Sequence, residues 1–165
     1  MRALEVYRRC VDYFPQPVEL NLETRDKITE ILKTQKDRKA YLAELEKIVE
    51  IEASAGSAQT ERTRYIAAQA TLVLAEENYD EFVAVKLVKP LKDNLQKKQD
   101  LMKKAINRFN SLIDYESGEL TAAATFYLAE IYSHFSKALM TSERPVLTFD
   151  YYRVKPGDNL STIAK

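Results

Sequence analysis

The sequence predicts an all-α fold built from antiparallel helical hairpins. Apolar residues recur at helical spacing over almost the whole stretch before residue 141, and period-two alternation is nearly absent from it. Three glycines and five prolines in 165 residues are too few for a loop-rich or all-β chain, while an apolar fraction of 45% suffices for a helical core. The short connections between periodic stretches imply helices that lie side by side as hairpins.

The spacing predicts a first helix over 2–14, stopped by Pro15 and Pro17, because proline lacks an N–H donor and disfavours helical geometry in the residue before it. A second covers 17–34 with Leu22, Ile28, Ile31 and Leu32 on its apolar side. In a third, over 37–54, Tyr41, Leu45, Ile48 and Glu52 share one stripe, and Glu44, Glu46, Lys47 and Glu50 are expected to face away. Gly56 supplies a stop, since glycine tolerates the left-handed conformation that closes a helix end, and Ser57 or Thr60 can cap the next helix. The stretch 36–80 then reads as a hairpin whose second arm carries Tyr65, Ala68, Leu72, Ala75 and Tyr79. Pro90 suits the first turn of a long helix over 91–115, with Leu91, Leu95, Met102, Phe109 and Ile113 on one face, joined by Ala105 and Ile106. After Ser117 and Gly118, a last helix carries Leu128, Ile131, Tyr132, Phe135, Ala138 and Leu139 and ends before Pro145.

Composition excludes several function classes. Lys and Arg number 25, and so do Asp and Glu, so the chain lacks the basic excess that neutralises nucleic-acid phosphates. A single cysteine, Cys10, makes neither an internal disulfide nor a thiolate metal cage. Glu5, Arg8 and Arg9 interrupt any apolar signal core near the start. The most apolar run, 67–75, contains Gln69 and Thr71 and is far shorter than the ~20 residues of a membrane-spanning helix.

Catalytic ingredients are equally sparse. The one histidine, His134, forms an i,i+4 pair with Glu130 and shares a stripe with Tyr127, Ile131 and Ala138, which fits a partly buried structural role. Cys10 has Arg8 and Arg9 nearby, yet it occupies a small-residue packing position. Glu76, Glu77, Asp80 and Glu81 are expected as a solvated cluster. No glycine-rich phosphate loop is present, and no catalytic residue, metal ligand or cofactor is expected. One local bias stands out: Lys86, Lys89, Lys92, Lys97, Lys98, Lys103, Lys104 and Arg108 oppose only Asp93 and Asp100. Lys89, Lys92, Lys97, Lys103 and Lys104 are therefore a candidate face for an acidic protein, anionic lipid headgroups or an anionic wall polymer, or else a plain solvated surface.

Two stretches carry a resemblance to a repeat family. Ala3, Tyr7, Cys10 and Pro15 stand in the spacing of the second helix of a tetratricopeptide repeat, and Leu128-Ala129-x-x-Tyr132 resembles the signature of a first helix. The helices between them are uneven and show no ~34-residue period, so a repeat-like α-solenoid and an irregular helical bundle both remain open. The stretch 122–145, ending in Ser142-Glu-Arg-Pro145, resembles large tetratricopeptide-containing envelope proteins of Gram-negative bacteria, including gliding-motility-associated ones.

The C-terminal stretch reads as strand, turn and capped helix. Tyr152 to Val154 is β-prone, Pro156 and Gly157 make a turn, Asp158 is an N-cap, and Leu160, Ile163 and Ala164 fall on one helical side. Val154-Lys-Pro-Gly-Asp-x-Leu-Ser-x-Ile-Ala164 closely resembles the opening of the LysM module, a βααβ domain that binds N-acetylglucosamine-containing glycans such as peptidoglycan. The resemblance implies that Gly157, Asp158, Asn159 and Leu160 form the first of two loops that flank the sugar, with Asn159 where the family often has threonine. The second loop is absent from these residues, so no glycan binding is expected of them by themselves. The expected organisation is a helical domain over 1–145, a linker over 146–151, and the N-terminal portion of a LysM module over 152–165. A start on a second repeat helix and an end inside a module fit a segment of a longer envelope protein, and the resemblances imply a periplasmic setting. The expected function is a non-enzymatic scaffold that holds envelope proteins and reaches peptidoglycan only through a completed LysM module. The alternative is a carbohydrate-binding or wall-remodelling protein whose helical part is a spacer.

Overall fold

A computed structural model describes residues 2–142. They form six helices: α1 (Arg2–Tyr13), α2 (Val18–Thr34), α3 (Arg38–Ser54), α4 (Glu61–Ala84), α5 (Leu91–Ile113) and α6 (Gly118–Thr141), with one 3₁₀ turn, Gly56–Ala58, between α3 and α4. The body is all-helical, as its periodicity predicts. The strand, turn and helix expected over 152–165 lie outside the described residues.

Local chemistry sets the boundaries. Pro17 is the N-cap of α2 and Pro90 that of α5, and each stands in extended backbone just before its first helical turn. Asp37 caps α3 by accepting the Ala40 N–H at 3.1 Å. Thr60 caps α4 reciprocally with Thr63, each hydroxyl accepting the other's backbone N–H. Gly56 comes after the end of α3 with φ +53°, the left-handed conformation expected of it. Lys36 after α2 and Glu116 after α5 adopt the same region with φ 58° and 57° although neither is glycine, so those two ends carry no glycine signal.

Each helix packs on its neighbours in sequence, and α2 also meets α4 and α4 meets α6. Three apolar clusters result. Val11, Ile28 and Leu32 join α1 to α2, with Leu4, Ala40 and Tyr41 at their edge. Val18, Leu22, Leu45, Ile48, Ile66, Ala67, Ala70 and Leu74 join α2, α3 and the first half of α4. Ala75, Phe82, Ala105, Phe109, Leu112, Ala124 and Ile131 join the second half of α4 to α5 and α6. The buried alanines of α4 keep its surface low, so helices approach it closely on more than one side.

Three expectations need correction. Glu44, expected to face solvent, is buried beside Arg25, because α2 crosses α3 on that side and the guanidinium gives the carboxylate a partner. Tyr65, placed on the inner stripe of the hairpin arm, is exposed and lies under the Arg62 guanidinium. Tyr132 and Leu139 also point outward, since α6 is the last described helix and packs from one side, and Ile113, the last residue of α5, is exposed as well.

The Arg25 and Glu44 pair ties α2 to α3 with the two side chains at 12% and 8% exposure. Glu44→Ala strands a buried guanidinium, and the expected loss is about 3 kcal/mol of folding stability by urea denaturation. Arg25→Met with Glu44→Leu should recover most of it, because two apolar groups leave no charge unpaired.

Candidate functional site

The most unusual polar group sits where the end of α4 meets α5. Lys98 has 0% exposure, and its Nζ donates to the carbonyls of Phe82 and Val85, each at 2.8 Å. The ammonium also stands 4.2 Å from the centroid of the Phe82 ring. The last carbonyls of a helix lack intrahelical donors and form the negative end of its dipole, so Lys98 supplies what the next turn would have supplied. No carboxylate forms an ion pair with it among the described residues. Burial pushes its pKa below the ordinary lysine value.

His134, from α6, meets the same ring edge-on, with centroids 5.3 Å apart. Its Nδ1 is buried without a hydrogen-bond partner among the described residues. Burial first, then repulsion from Lys98 and Lys137, lowers the His134 pKa, and the Glu130 carboxylate opposes them. The expected partly buried histidine is therefore found, while the i,i+4 pair with Glu130 makes no hydrogen bond. Cys10 is a half-buried free thiol.

The predicted basic face divides. Lys98 is core, Lys104 pairs with Glu81 at 3.1 Å, and Arg108 reaches Glu46 of α3 at 2.6 Å. Lys86, Lys89, Lys92, Lys97 and Lys103 are exposed and make no ion pair among the described residues. Of the carboxylates expected as solvated, Glu76 accepts the Tyr127 hydroxyl at 2.9 Å, Glu77 pairs with Arg38, and Glu81 pairs with Lys104. Those acids stitch helices together.

An open groove of about 620 Å³ runs between the end of α4, the connection after it, and α5. Ala84, Val85, Val88 and Leu101 give it an apolar floor, with Lys86 and Lys97 along its rim.

The two outer helices carry further apolar surface. Val6, Tyr13 and Phe14 at the α1 end are 63%, 77% and 63% exposed, and Phe126, Tyr132 and Met140 of α6 are 61%, 56% and 75% exposed. Tyr7 and Tyr132, both in the tetratricopeptide-like stretches, lie on these outward sides.

Gly157, Asp158, Asn159 and Leu160 lie outside the described residues. Among the described residues no group of three or more His, Cys, Asp or Glu side chains is placed to hold a metal ion, and no helix is long and apolar enough to cross a membrane.

Lys98→Ala should cost about 3 kcal/mol, because it leaves the Val85 carbonyl bare, takes one of two donors from that of Phe82 and opens a cavity, and Lys98→Met should cost about half as much by filling the space. Urea denaturation separates the two. His134 adds a pH dependence. Its folded pKa lies below the ordinary 6.5, so the unfolded chain takes the proton first as pH falls. Its contribution to stability is complete above that value and lost as pH drops below it, and His134→Gln should flatten this part of the profile.

No family model, no curated protein and no solved structure matches the chain, so its own residues carry the functional reading.

Proposed function

We propose that residues 2–142 form a non-enzymatic protein–protein interaction scaffold of the bacterial cell envelope, built as a tetratricopeptide-like helical array. Its C-terminal end, residues 152–165, opens a LysM module that anchors the protein to peptidoglycan once a second helix and strand complete it. The observation that carries the scaffold is the pair of apolar faces on α1 and α6. Aromatic residues and methionine stay exposed at both outer helices, where a self-contained bundle would bury them. The succession of neighbour contacts supports an array, because α1 makes its main contacts with α2 and α6 makes its own with α4 and α5. The resemblance supports the same arrangement, in which an exposed aromatic such as Tyr7 fills the gap to a neighbouring repeat.

Glycan contact belongs to the completed module, in which Gly157, Asp158, Asn159 and Leu160 would line the first loop.

The scaffold reading is tested by capture of solubilised envelope proteins on immobilised chain. The unaltered chain should retain a defined partner, and Tyr13→Glu with Phe14→Glu, or Phe126→Glu with Met140→Glu, should weaken retention at least about tenfold while leaving helical circular dichroism unchanged. Failure to retain any partner at any salt concentration, or retention indifferent to both pairs, rules the reading out.

A further inference from the structure

The connection between α4 and α5 is more than a linker. Its ends, Val85 and Pro90, both have extended dihedrals, with φ −77° and ψ 116° at the first and φ −75° and ψ 116° at the second. Between them Leu87 is buried and Val85 half-buried, while Lys86, Val88 and Lys89 are exposed. Two carbonyls of the segment are already engaged, that of Val85 by Lys98 and that of Val88 by Asn94 Nδ2 at 2.9 Å. Those bonds hold the segment against α5. The N–H groups of Lys86, Leu87, Val88 and Lys89 make no hydrogen bond among the described residues. A segment held against α5 between extended ends, with unused donors beside an apolar groove, offers hydrogen bonds to an incoming backbone.

Charge selects the incoming strand. Lys86 and Lys97 line the groove, exposed and without an ion pair among the described residues, and the Lys98 ammonium, which has no carboxylate partner among them, holds the carbonyl of Val85 in its wall. Glu81, the acid on the rim, is offset by Lys104. Asp93 on α5 leaves the lysines in excess. We propose that an extended acidic segment of a partner protein binds along residues 85–88, its carbonyls accepting from those free N–H groups that face it, its apolar side chains entering the groove and its carboxylates meeting Lys86 and Lys97. The proposal rests on the scaffold reading and names one partner class for it.

The test uses the full chain and a fluorescein-labelled ten-residue peptide of alternating glutamate and valine, monitored by fluorescence anisotropy. Saturable binding is expected, weakened about tenfold by Lys86→Glu with Lys97→Glu and by added salt. Lys92→Glu with Lys103→Glu, both outside the groove, should change it less than about twofold. The same peptide methylated at the alternate amide nitrogens that face the segment should lose most of its affinity, because it keeps the charge while the methyl groups block close approach of the two backbones. No saturable binding, equal binding of the methylated peptide, or binding only to phosphatidylglycerol vesicles each overturns the proposal. The α1 and α6 face pairs report separately, since peptide binding should survive them.

Discussion

The fold depends on how its helices end. A helix that stops inside a protein leaves backbone carbonyls without donors, and a buried carbonyl left bare costs about 1–3 kcal/mol. Here side chains from elsewhere in the chain meet that need at several helix ends. Asn21 of α2 donates through Nδ2 to the Val11 and Phe14 carbonyls at the end of α1, both at 3.2 Å. Lys98 of α5 does so for α4, and Arg64 of α4 does so for α5 at the Asp114 carbonyl, 2.9 Å away. Gln59 reaches the Glu52 carbonyl of α3 at 3.1 Å. Each such bond fixes where one helix ends against another, which apolar contact alone does not do.

The first of these ties continues inward. Asn21 Oδ1 accepts the Arg25 Nε–H at 2.9 Å, and Arg25 in turn holds Glu44, so the end of α1, the face of α2 and the face of α3 are held by one polar chain. Apolar clusters supply the driving force at roughly 25 cal/mol per Å² buried, and it has no direction. The polar chain supplies direction, since its members find full hydrogen bonding in one register only. Lys98 and His134 repeat the pattern around Phe82 at the other end, although there the histidine Nδ1 has no partner among the described residues. The two ends of the body thus differ: a continuous polar chain ties the first, and the second holds an orphaned group.

Much of the architecture was legible in the residues. Proline placement, the Thr60 cap and Gly56 mark helix ends to within a few residues, because each acts through local backbone chemistry. Polar residues inside the core were not legible. Leu91, Leu95, Met102, Ala105 and Phe109 trace an inner face that skips one turn, and the skipped position is Lys98. Arg25 falls likewise between Leu22 and Ile28, and its partner Glu44 looks like any surface acid until α2 crosses over it. A gap in a stripe is a usable signal. Its meaning depends on which carbonyl or carboxylate faces the gap, and that is decided by tertiary contact.

Those buried polar groups also explain how an electrically neutral chain acquires a local field. Exposed charges are screened over about 8 Å at physiological salt, so evenly mixed surface lysines and carboxylates largely cancel. The α4–α5 junction departs from that mixture in two ways. Its free carboxylates are few because Glu77 and Glu81 are paired with Arg38 and Lys104 in links between helices. Its buried ammonium, held by carbonyls, brings no counter-charge with it and is shielded from solvent ions. The same lysine that closes the end of α4 therefore makes the neighbouring groove positive, and the constraint that shapes the fold also prepares the surface beside it for an acidic partner.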